Sequence, residues 1–304
     1  MCYNIIEVMR LKDRELTDKM LRQIEKEIDI IFSKALKENK QLMNKLATLI
    51  NSDVLSKKKK TLKYEQYLRL AKFCGVFADM LEEKTQLAID LINSNSLEVY
   101  ELNYNYNLYE VEHQGIKTDL MMLNKRLLKA IFSTKGNPFY YIALDNAKDK
   151  KKIKTEVMRE LTTGLIKGEG YQKIAKRVKG VTERKKFECI RIVRTETTRV
   201  ENLAKYDLCN DLVNKGIQAQ KEWIATYDSR TRERHKAINH QVRDVEKPFS
   251  NGLMYPGDPT GEPKEIINCR CAMIPKIEVK HQKMDELDEQ LKKMTYDDWK
   301  KKRG

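Results

Sequence analysis

Apolar residues recur every three or four positions through the first hundred residues, which is the spacing of one face of an α-helix. Two series show it: Leu21, Ile24, Ile28, Ile31 and Ala35, and then Tyr64, Tyr67, Ala71, Cys74, Phe77 and Leu81. Proline, the strongest helix breaker, first occurs at Pro138. The polar segments 51–53 and 93–96 are therefore the predicted breaks between long helices.

Residues 100–109 alternate between apolar and polar side chains, a period-two pattern that a half-buried strand also shows. Both flanking regions are helical and no partner strand lies nearby, so we predict a helix with Tyr106, Tyr109 and His113 on one face. Asn and Glu separate the tyrosines, which favours packing in a core over stacking on nucleic-acid bases.

Glycines punctuate the next predicted helices. One helix ends at Gly164, a short amphipathic helix from Tyr171 is closed by Gly180, and Thr182 is predicted to cap a long helix. That helix ends before Gly216 and has one continuous face: Phe187, Ile190, Val193, Thr197, Val200, Ala204, Leu208 and Leu212.

Beyond residue 216 the pattern changes to strands and turns. Residues 223–227 and 271–277 predict strands, residues 230–238 a short charged helix, and residues 251–252 and 256–259 turns. The predicted fold class is α+β: a mostly helical amino-terminal region with long helices, followed by a small carboxy-terminal α+β domain containing a short antiparallel sheet. The predicted domains are a helical region (1–135), that domain (136–278) and a charged helical tail (279–304).

Composition narrows the class of protein. The 304 residues are 40% hydrophobic and 35% charged, above the usual charged share of about 25%. No segment approaches the roughly 18 uninterrupted apolar residues of a spanning helix, so no membrane role is expected. No secretory signal is recognisable at the amino terminus, and we expect a reducing cytoplasm and six free cysteines.

Sixty Lys and Arg against 45 Asp and Glu leave a formal net charge of +15, which favours nucleic acid or an acidic protein surface as a partner. Basic runs at 57–60, 148–152 and 300–303 are of the kind that most often lie in solvent. In the tail, Met284, Leu287, Leu291 and Met294 have helical spacing, and residues 300–303 are expected to form a disordered, solvated end.

The clearest candidate for metal chemistry is a Cys-x-Cys pair with one histidine. Cys269 and Cys271 offer soft thiolates and His235 an imidazole, a set that suits tetrahedral zinc, with His240, Asp228 or water as the fourth ligand. Two buried thiols packed side by side on one strand face would account for the same pair. A zinc deaminase is excluded because its His-x-Glu and Pro-Cys-x-x-Cys motifs are missing.

The charged residues also have a purely structural interpretation. Arg194 lies at the edge of the apolar face of the long helix, where it is predicted to be half-buried with Asp228 as its acidic partner. Glu196 and Arg199 form an i,i+3 pair worth about 0.2–0.5 kcal/mol. On this interpretation the polar cluster holds a helix against a small sheet.

The order of these motifs resembles the phage head-morphogenesis family, the Mu F-like minor head proteins of tailed phages. The resemblance covers roughly residues 100–278. It rests on the motif residues Arg194, Thr195, Glu196, Trp223, Asp228, Arg230, His235, Asn268, Cys269, Arg270 and Cys271, with the turn 256–259 and the stretch 137–139 in the expected order. One departure is His240, which stands where many members have glycine, so it is not a general metal ligand of the family.

The resemblance implies a minor structural head protein of a phage or prophage that associates with the portal and assists procapsid assembly and DNA packaging or ejection. Its implied partners are the portal protein, capsid or scaffolding proteins, and phage DNA bound without sequence preference. The implied location is the virion, in the head interior or at the portal vertex, after assembly in the host bacterial cytoplasm.

The resemblance implies no established catalysis. Some relatives carry a toxin or ADP-ribosyltransferase extension, for which the 26 residues after residue 278 are too few. Two alternatives stay open: a metal-dependent (zinc) hydrolase or nuclease that uses His235, Cys269 and Cys271, and a non-specific DNA-binding protein.

Overall fold

The computed structural model describes residues 2–52, 64–116, 118–132, 146–277 and 286–303. Long helices come first: α1 (Cys2–Ser52), α2 (Tyr64–His113), α3 (Lys125–Phe132), α4 (Asn146–Ile166) and α5 (Tyr171–Asn214). Short elements follow: β1 (Ala219–Ile224), α6 (Glu233–Ala237), β2 (Val242–Asp244), α7 (Pro263–Ile266), β3 (Ala272–Ile277), α8 (Glu286–Lys293) and α9 (Tyr296–Arg303). This order confirms the predicted α+β class.

The apolar periodicity of the sequence corresponds to burial. The buried members of the two predicted series are Ile24, Ile28, Ala35, Cys74, Phe77 and Leu81. Segment 100–109 lies inside α2, which confirms the helix over the strand, and the side chains of Tyr64 and Tyr67 lie outside the described residues. Amphipathic spacing thus identified the packed faces of α1 and α2.

Two of the helix breaks predicted from the sequence are wrong, because tertiary packing outweighs the local preference of polar residues and glycine against a helix. α2 continues through residues 93–96, where the Ser96 hydroxyl donates to the carbonyl one turn earlier at 2.9 Å. α5 continues through Gly180, and Thr182 is buried inside the helix instead of capping it. Burial of apolar neighbours such as Val181 offsets the roughly 1 kcal/mol that a glycine costs within a helix.

The described sheet is antiparallel, with strand order β2-β1-β3. β1 pairs with β3 along its whole length, from Ala219 opposite Ile277 to Ile224 opposite Ala272, which confirms the closing strand. The first predicted strand, 223–227, is placed too late in the chain. Its end is not paired, because the amide of Ala225 donates to the side chain of Asn239 at 2.8 Å.

The chain divides into two compact units, each built from separate stretches. Unit 1 comprises Met1–Gln23, Ile92–Tyr141 and Arg191–Gly304, and unit 2 comprises Ile24–Leu91 and Ile142–Ile190. The predicted domain boundaries after residues 135 and 278 fall outside the described residues and stay predictions, as do the expectations for residues 57–60, 137–139 and Met284.

In unit 2, ion pairs join helices whose apolar faces are buried. Lys186 of α5 reaches Asp29 of α1 at 2.6 Å, and Arg184 of α5 reaches Glu156 of α4 at 2.7 Å. The buried apolar side chains of this unit include Phe32, Phe77, Leu81, Val157 and Val178. Burial of these faces supplies the main stabilising contribution, since exposed ion pairs contribute little.

In unit 1, tyrosines of α2 contact carboxylates of α5. The hydroxyl groups of Tyr100 and Tyr104 donate to Asp207 and Asp211, each at 2.6 Å. Burial raises the pKa of Asp207 to about 6, against the opposing effect of the Tyr100 hydrogen bond. The tyrosine cluster therefore serves packing between two helices, as predicted.

The carboxy-terminal end is docked, which corrects the expectation of a disordered, solvated end. Trp299 of α9 is buried, and its indole N–H donates to Glu112 at 2.8 Å. Arg303 also contacts Glu112, whereas Lys300, Lys301 and Lys302 are exposed. A buried indole needs a hydrogen-bond acceptor, and Glu112 provides it.

None of the described helices combines the length and apolarity that crossing a membrane requires. The cysteines within the described side chains are all free thiols, in agreement with the sequence: Cys74, Cys189, Cys209, Cys269 and Cys271.

Candidate functional site

The motif residues lie in unit 1, where α5 meets the loops that flank the sheet. Arg194, Thr195 and Glu196 are on α5, Asp228 and Arg230 follow β1, His235 is on α6, and Asn268, Cys269 and Cys271 immediately precede β3. The Asn268 amide donates to the Thr195 hydroxyl at 3.0 Å, which connects the α5 motif to the Cys-x-Cys turn. Asn268 has a φ of 55°, a left-handed conformation that asparagine tolerates better than most residues.

His235, Cys269 and Cys271 converge, although more than thirty residues separate the histidine from the cysteines. Nδ1 of His235 lies 3.4 Å from Sγ of Cys271 and 3.7 Å from Sγ of Cys269. The three side chains are 1–3% exposed, and they pack with Trp223 and Phe249 in a small apolar cluster. The predicted ligand set is thus one buried group of atoms.

Glu265 of α7 orients the histidine, and sequence reasoning missed it. Its Oε2 lies 3.0 Å from Nε2 of His235, while its Oε1 accepts a bond of 3.0 Å from Arg234. Glu265 is itself buried. A carboxylate behind a histidine fixes the ring orientation and leaves the opposite nitrogen directed at the cysteines.

The pKa values of the two cysteines shift in opposite directions. The hydrogen bond from Cys271 lowers the pKa of Cys269 well below its usual value, against the effect of burial, and His235 adds to the lowering. The same hydrogen bond, together with burial, raises the pKa of Cys271. A thiolate beside an imidazole is chemically suited to bind a metal or to act as a nucleophile.

Asp228 accepts two hydrogen bonds of 2.6 Å from the guanidinium of Arg270. This pairing holds the pKa of Asp228 below its usual range. The predicted partner, Arg194, is instead exposed, so its predicted half-burial is wrong. The buried face of α5 passes through Val193 and Thr197, which leaves Arg194 on the outer side of the helix.

Polar side chains of α5 bind the backbone at the start of β3. Thr198 donates to the Cys269 carbonyl at 2.8 Å, and the amide of Met273 donates to the Asn202 side chain at 2.5 Å. Neither α5 residue was singled out from the sequence. Their partners lie about 70 residues away, where no periodic pattern reveals them.

The predicted pair Glu196–Arg199 is present, with a distance of 2.5 Å, and Arg199 is buried. The adjoining turn is also confirmed. Gly257 there has a φ of 86° and lies so close to α5 that a Cβ would be 2.9 Å from Cα of Arg199. Asp258 closes the turn by accepting a bond of 2.8 Å from the Met254 amide.

Two of the proposed fourth ligands lie elsewhere. Nδ1 of His240 contacts Glu222 at 2.8 Å, and Asp228 binds Arg270. Among the described side chains, only Cys269 and Cys271 join His235 in a group of possible metal ligands. Water is therefore the remaining candidate from the sequence.

Comparison with known proteins agrees with this set of motifs. Residues 155–274 match the family described as Phage Mu protein F like protein. This match defines a Mu F-like region of the chain. The Mu F-like region contains all eleven residues of the predicted motif set, from Arg194 to Cys271.

Two curated proteins are similar to the chain. Minor head protein GP7 of Bacillus phage SPP1 is 24% identical over 274 residues, which cover 84% of this chain and 83% of that protein. NAD(+)–arginine ADP-ribosyltransferase EFV of Enterococcus faecalis (strain ATCC 700802 / V583) is 29% identical over 157 residues. That match covers 50% of this chain and only 32% of the transferase. No solved structure matches the chain.

Proposed function

We propose that this chain is a minor structural head protein of a tailed phage or prophage, which associates with the portal and assists procapsid assembly and DNA packaging or ejection. The observation that carries the proposal is the similarity to a minor head protein over more than four fifths of both chains. On this proposal the protein resides in the virion, in the head interior or at the portal vertex, after assembly in the host cytoplasm.

The geometry of the Mu F-like region supports a structural role. Thr198 and Asn202 use their polar groups to hold the backbone before and within β3. The cluster of His235, Cys269 and Cys271 is 1–3% exposed, so its reactive atoms are inaccessible to a macromolecular substrate. An open cleft with convergent, exposed catalytic groups would be expected of a hydrolase or nuclease.

Co-expression with the portal protein of the same phage tests the proposal. We expect the two chains to co-elute in size-exclusion chromatography, with fewer copies of this chain than of the major capsid protein in purified particles. Separate co-expression with the capsid protein and with the scaffolding protein tests these two as further partners. Separate elution from the portal at micromolar concentrations, with no copies in purified particles, would contradict the head-protein assignment.

Contact with DNA is a second candidate function, favoured by the net charge of +15. One turn of α4 exposes Lys151, Lys152 and Lys154, which are suitably placed to neutralise phosphates. The logarithm of the binding constant for duplex DNA of unrelated sequences should fall linearly with the logarithm of the salt concentration. Replacing the three lysines by glutamine should reduce that slope by about 3, while the same change at the exposed Lys300, Lys301 and Lys302 serves as a matched control. Equal slopes for both variants would exclude α4 as the contact.

A further inference from the structure

The atoms of the His235 cluster have the separations of a tetrahedral zinc site. With Zn–S bonds of about 2.3 Å and a Zn–N bond of about 2.0–2.1 Å, a tetrahedral ion separates sulfur from nitrogen by about 3.5–3.6 Å. The separations from Nδ1 of His235, 3.4 Å to Cys271 and 3.7 Å to Cys269, lie on either side of this value. One ion can therefore contact all three atoms with small adjustments of the side chains.

The tautomer of His235 also suits the binding of an ion. The Glu265 carboxylate, paired with Arg234, is an acceptor, so Nε2 of His235 carries the ring hydrogen that faces it. Nδ1 then presents a single lone pair toward two sulfur atoms. One cation between the three atoms accepts this lone pair together with one from each sulfur atom.

We propose that His235, Cys269 and Cys271 bind one zinc ion through Nδ1 and the two sulfur atoms, with a solvent molecule in the fourth position. Two thiolates and an imidazole prefer zinc among the common divalent ions of a cell, because hard ions such as magnesium and calcium require oxygen ligands. Binding forms two Zn–S bonds and one Zn–N bond and releases the thiol protons to the buffer. The ion joins α6 to the start of β3, a role independent of portal binding.

Metal analysis of the tag-free, full-length protein, purified without chelators, tests the site. We expect about one zinc per chain in the wild type. Cys269→Ser and Cys271→Ser should each retain less than about a tenth of that amount, since structural sites depend on every thiolate. Cys189→Ser and His240→Gln are matched controls, because they change a buried cysteine and a histidine outside the cluster, and both should retain the full amount.

Cobalt substitution in the wild type keeps the test valid if the cysteine variants fail to fold. Cobalt bound by two thiolates in tetrahedral geometry should give sulfur-to-metal charge-transfer absorption near the ultraviolet and intense visible bands, and zinc should abolish both. The proposal is overturned if folded wild-type protein, after dialysis against zinc, retains less than about 0.1 equivalent. It is equally overturned if folded Cys269→Ser and Cys271→Ser variants keep one equivalent, or if bound cobalt shows no charge-transfer absorption.

Discussion

The amino-terminal part of α1 is held to α5 by a buried lysine, which makes Lys205→Met an informative perturbation. The Lys205 ammonium lies 2.9 Å from the carboxylates of both Asp13 and Glu201, and the three side chains are 4–8% exposed. Methionine keeps the apolar stem but leaves two buried carboxylates without their cation. Because an unpaired buried charge is strongly unfavourable, we expect the free energy of unfolding of unit 1 to fall by about 3–5 kcal/mol.

The effect depends on pH in a defined direction. Burial lowers the pKa of Lys205, but the carboxylates of Asp13 and Glu201 outweigh it and raise the pKa above the ordinary value of 10.5. A raised pKa contributes stability that is fully present below the unfolded value and is lost as pH rises through the folded value. The wild type should therefore lose this contribution only above pH 10.5, and Lys205→Met should lack that alkaline loss.

Tryptophan fluorescence during urea unfolding measures the change. Both tryptophans of the chain, Trp223 and Trp299, lie in unit 1, so the signal reports on that unit. With a urea dependence of about 3 kcal/mol/M, the expected loss lowers the midpoint of Lys205→Met by about 1–2 M. Lys247→Met is the matched control, because it removes only an exposed pair with Asp244 and should leave the midpoint unchanged.

A neutral triple variant separates loss of charge balance from loss of packing. Asp13→Asn, Glu201→Gln and Lys205→Met together remove all three charges, and this variant should recover most of the midpoint. A midpoint for Lys205→Met within about 0.3 M of the wild type would refute the reasoning. So would a triple variant that is no more stable than Lys205→Met alone.

Three further predictions concern unit 1. Gly257→Ala should destabilise it by more than about 1 kcal/mol beyond Gly252→Ala in the urea assay, because both glycines have a φ of 86° but only Gly257 lies against α5. Asp228→Asn should lower the thermal midpoint at neutral pH. The difference in midpoint between the variant and the wild type should narrow below pH 3.8, because protonation of Asp228 in the wild type removes its pairing with Arg270. A difference that stays constant with pH would contradict this prediction. Trp299→Phe removes one hydrogen-bond donor to the buried carboxylate of Glu112, so the free energy of unfolding should fall by about 1–3 kcal/mol. Urea unfolding followed by circular dichroism measures the change, and an unchanged free energy would show that the hydrogen bond is unimportant.

Local patterns predicted the secondary structure where local and tertiary preferences agree. The apolar faces of α1 and α2 and the closing strand β3 were all identified from spacing. The sequence predicted helix breaks at Gly180 and at the polar segment 93–96. Neither break occurs, because one polar residue or glycine lowers the stability of a helix by only about 1 kcal/mol or less. Burial of the surrounding apolar side chains contributes more than that and keeps both helices continuous.

The candidate site was predictable only in part. Cys269 and Cys271 are two positions apart in the chain, and their thiols with His235 form a recognisable ligand set. Glu265 was missed because it lies 30 residues from His235 in a short charged helix whose composition is that of a solvated surface. Arg194 was predicted to pair with Asp228, whereas Arg270 binds that carboxylate, because a position on a helix does not show which arginine of a distant loop approaches it.

The sequence by itself determined the fold class, the apolar faces of α1 and α2 and the residue types available for a metal site. These properties depend on interactions between neighbours in the chain, whose spacing is visible in the amino-acid order. Tertiary structure alone decided that α2 and α5 continue through their predicted breaks, which arginine binds Asp228 and which carboxylate supports His235. Those outcomes depend on the balance of burial and charge between residues tens of positions apart, and that balance exists only once the chain is packed.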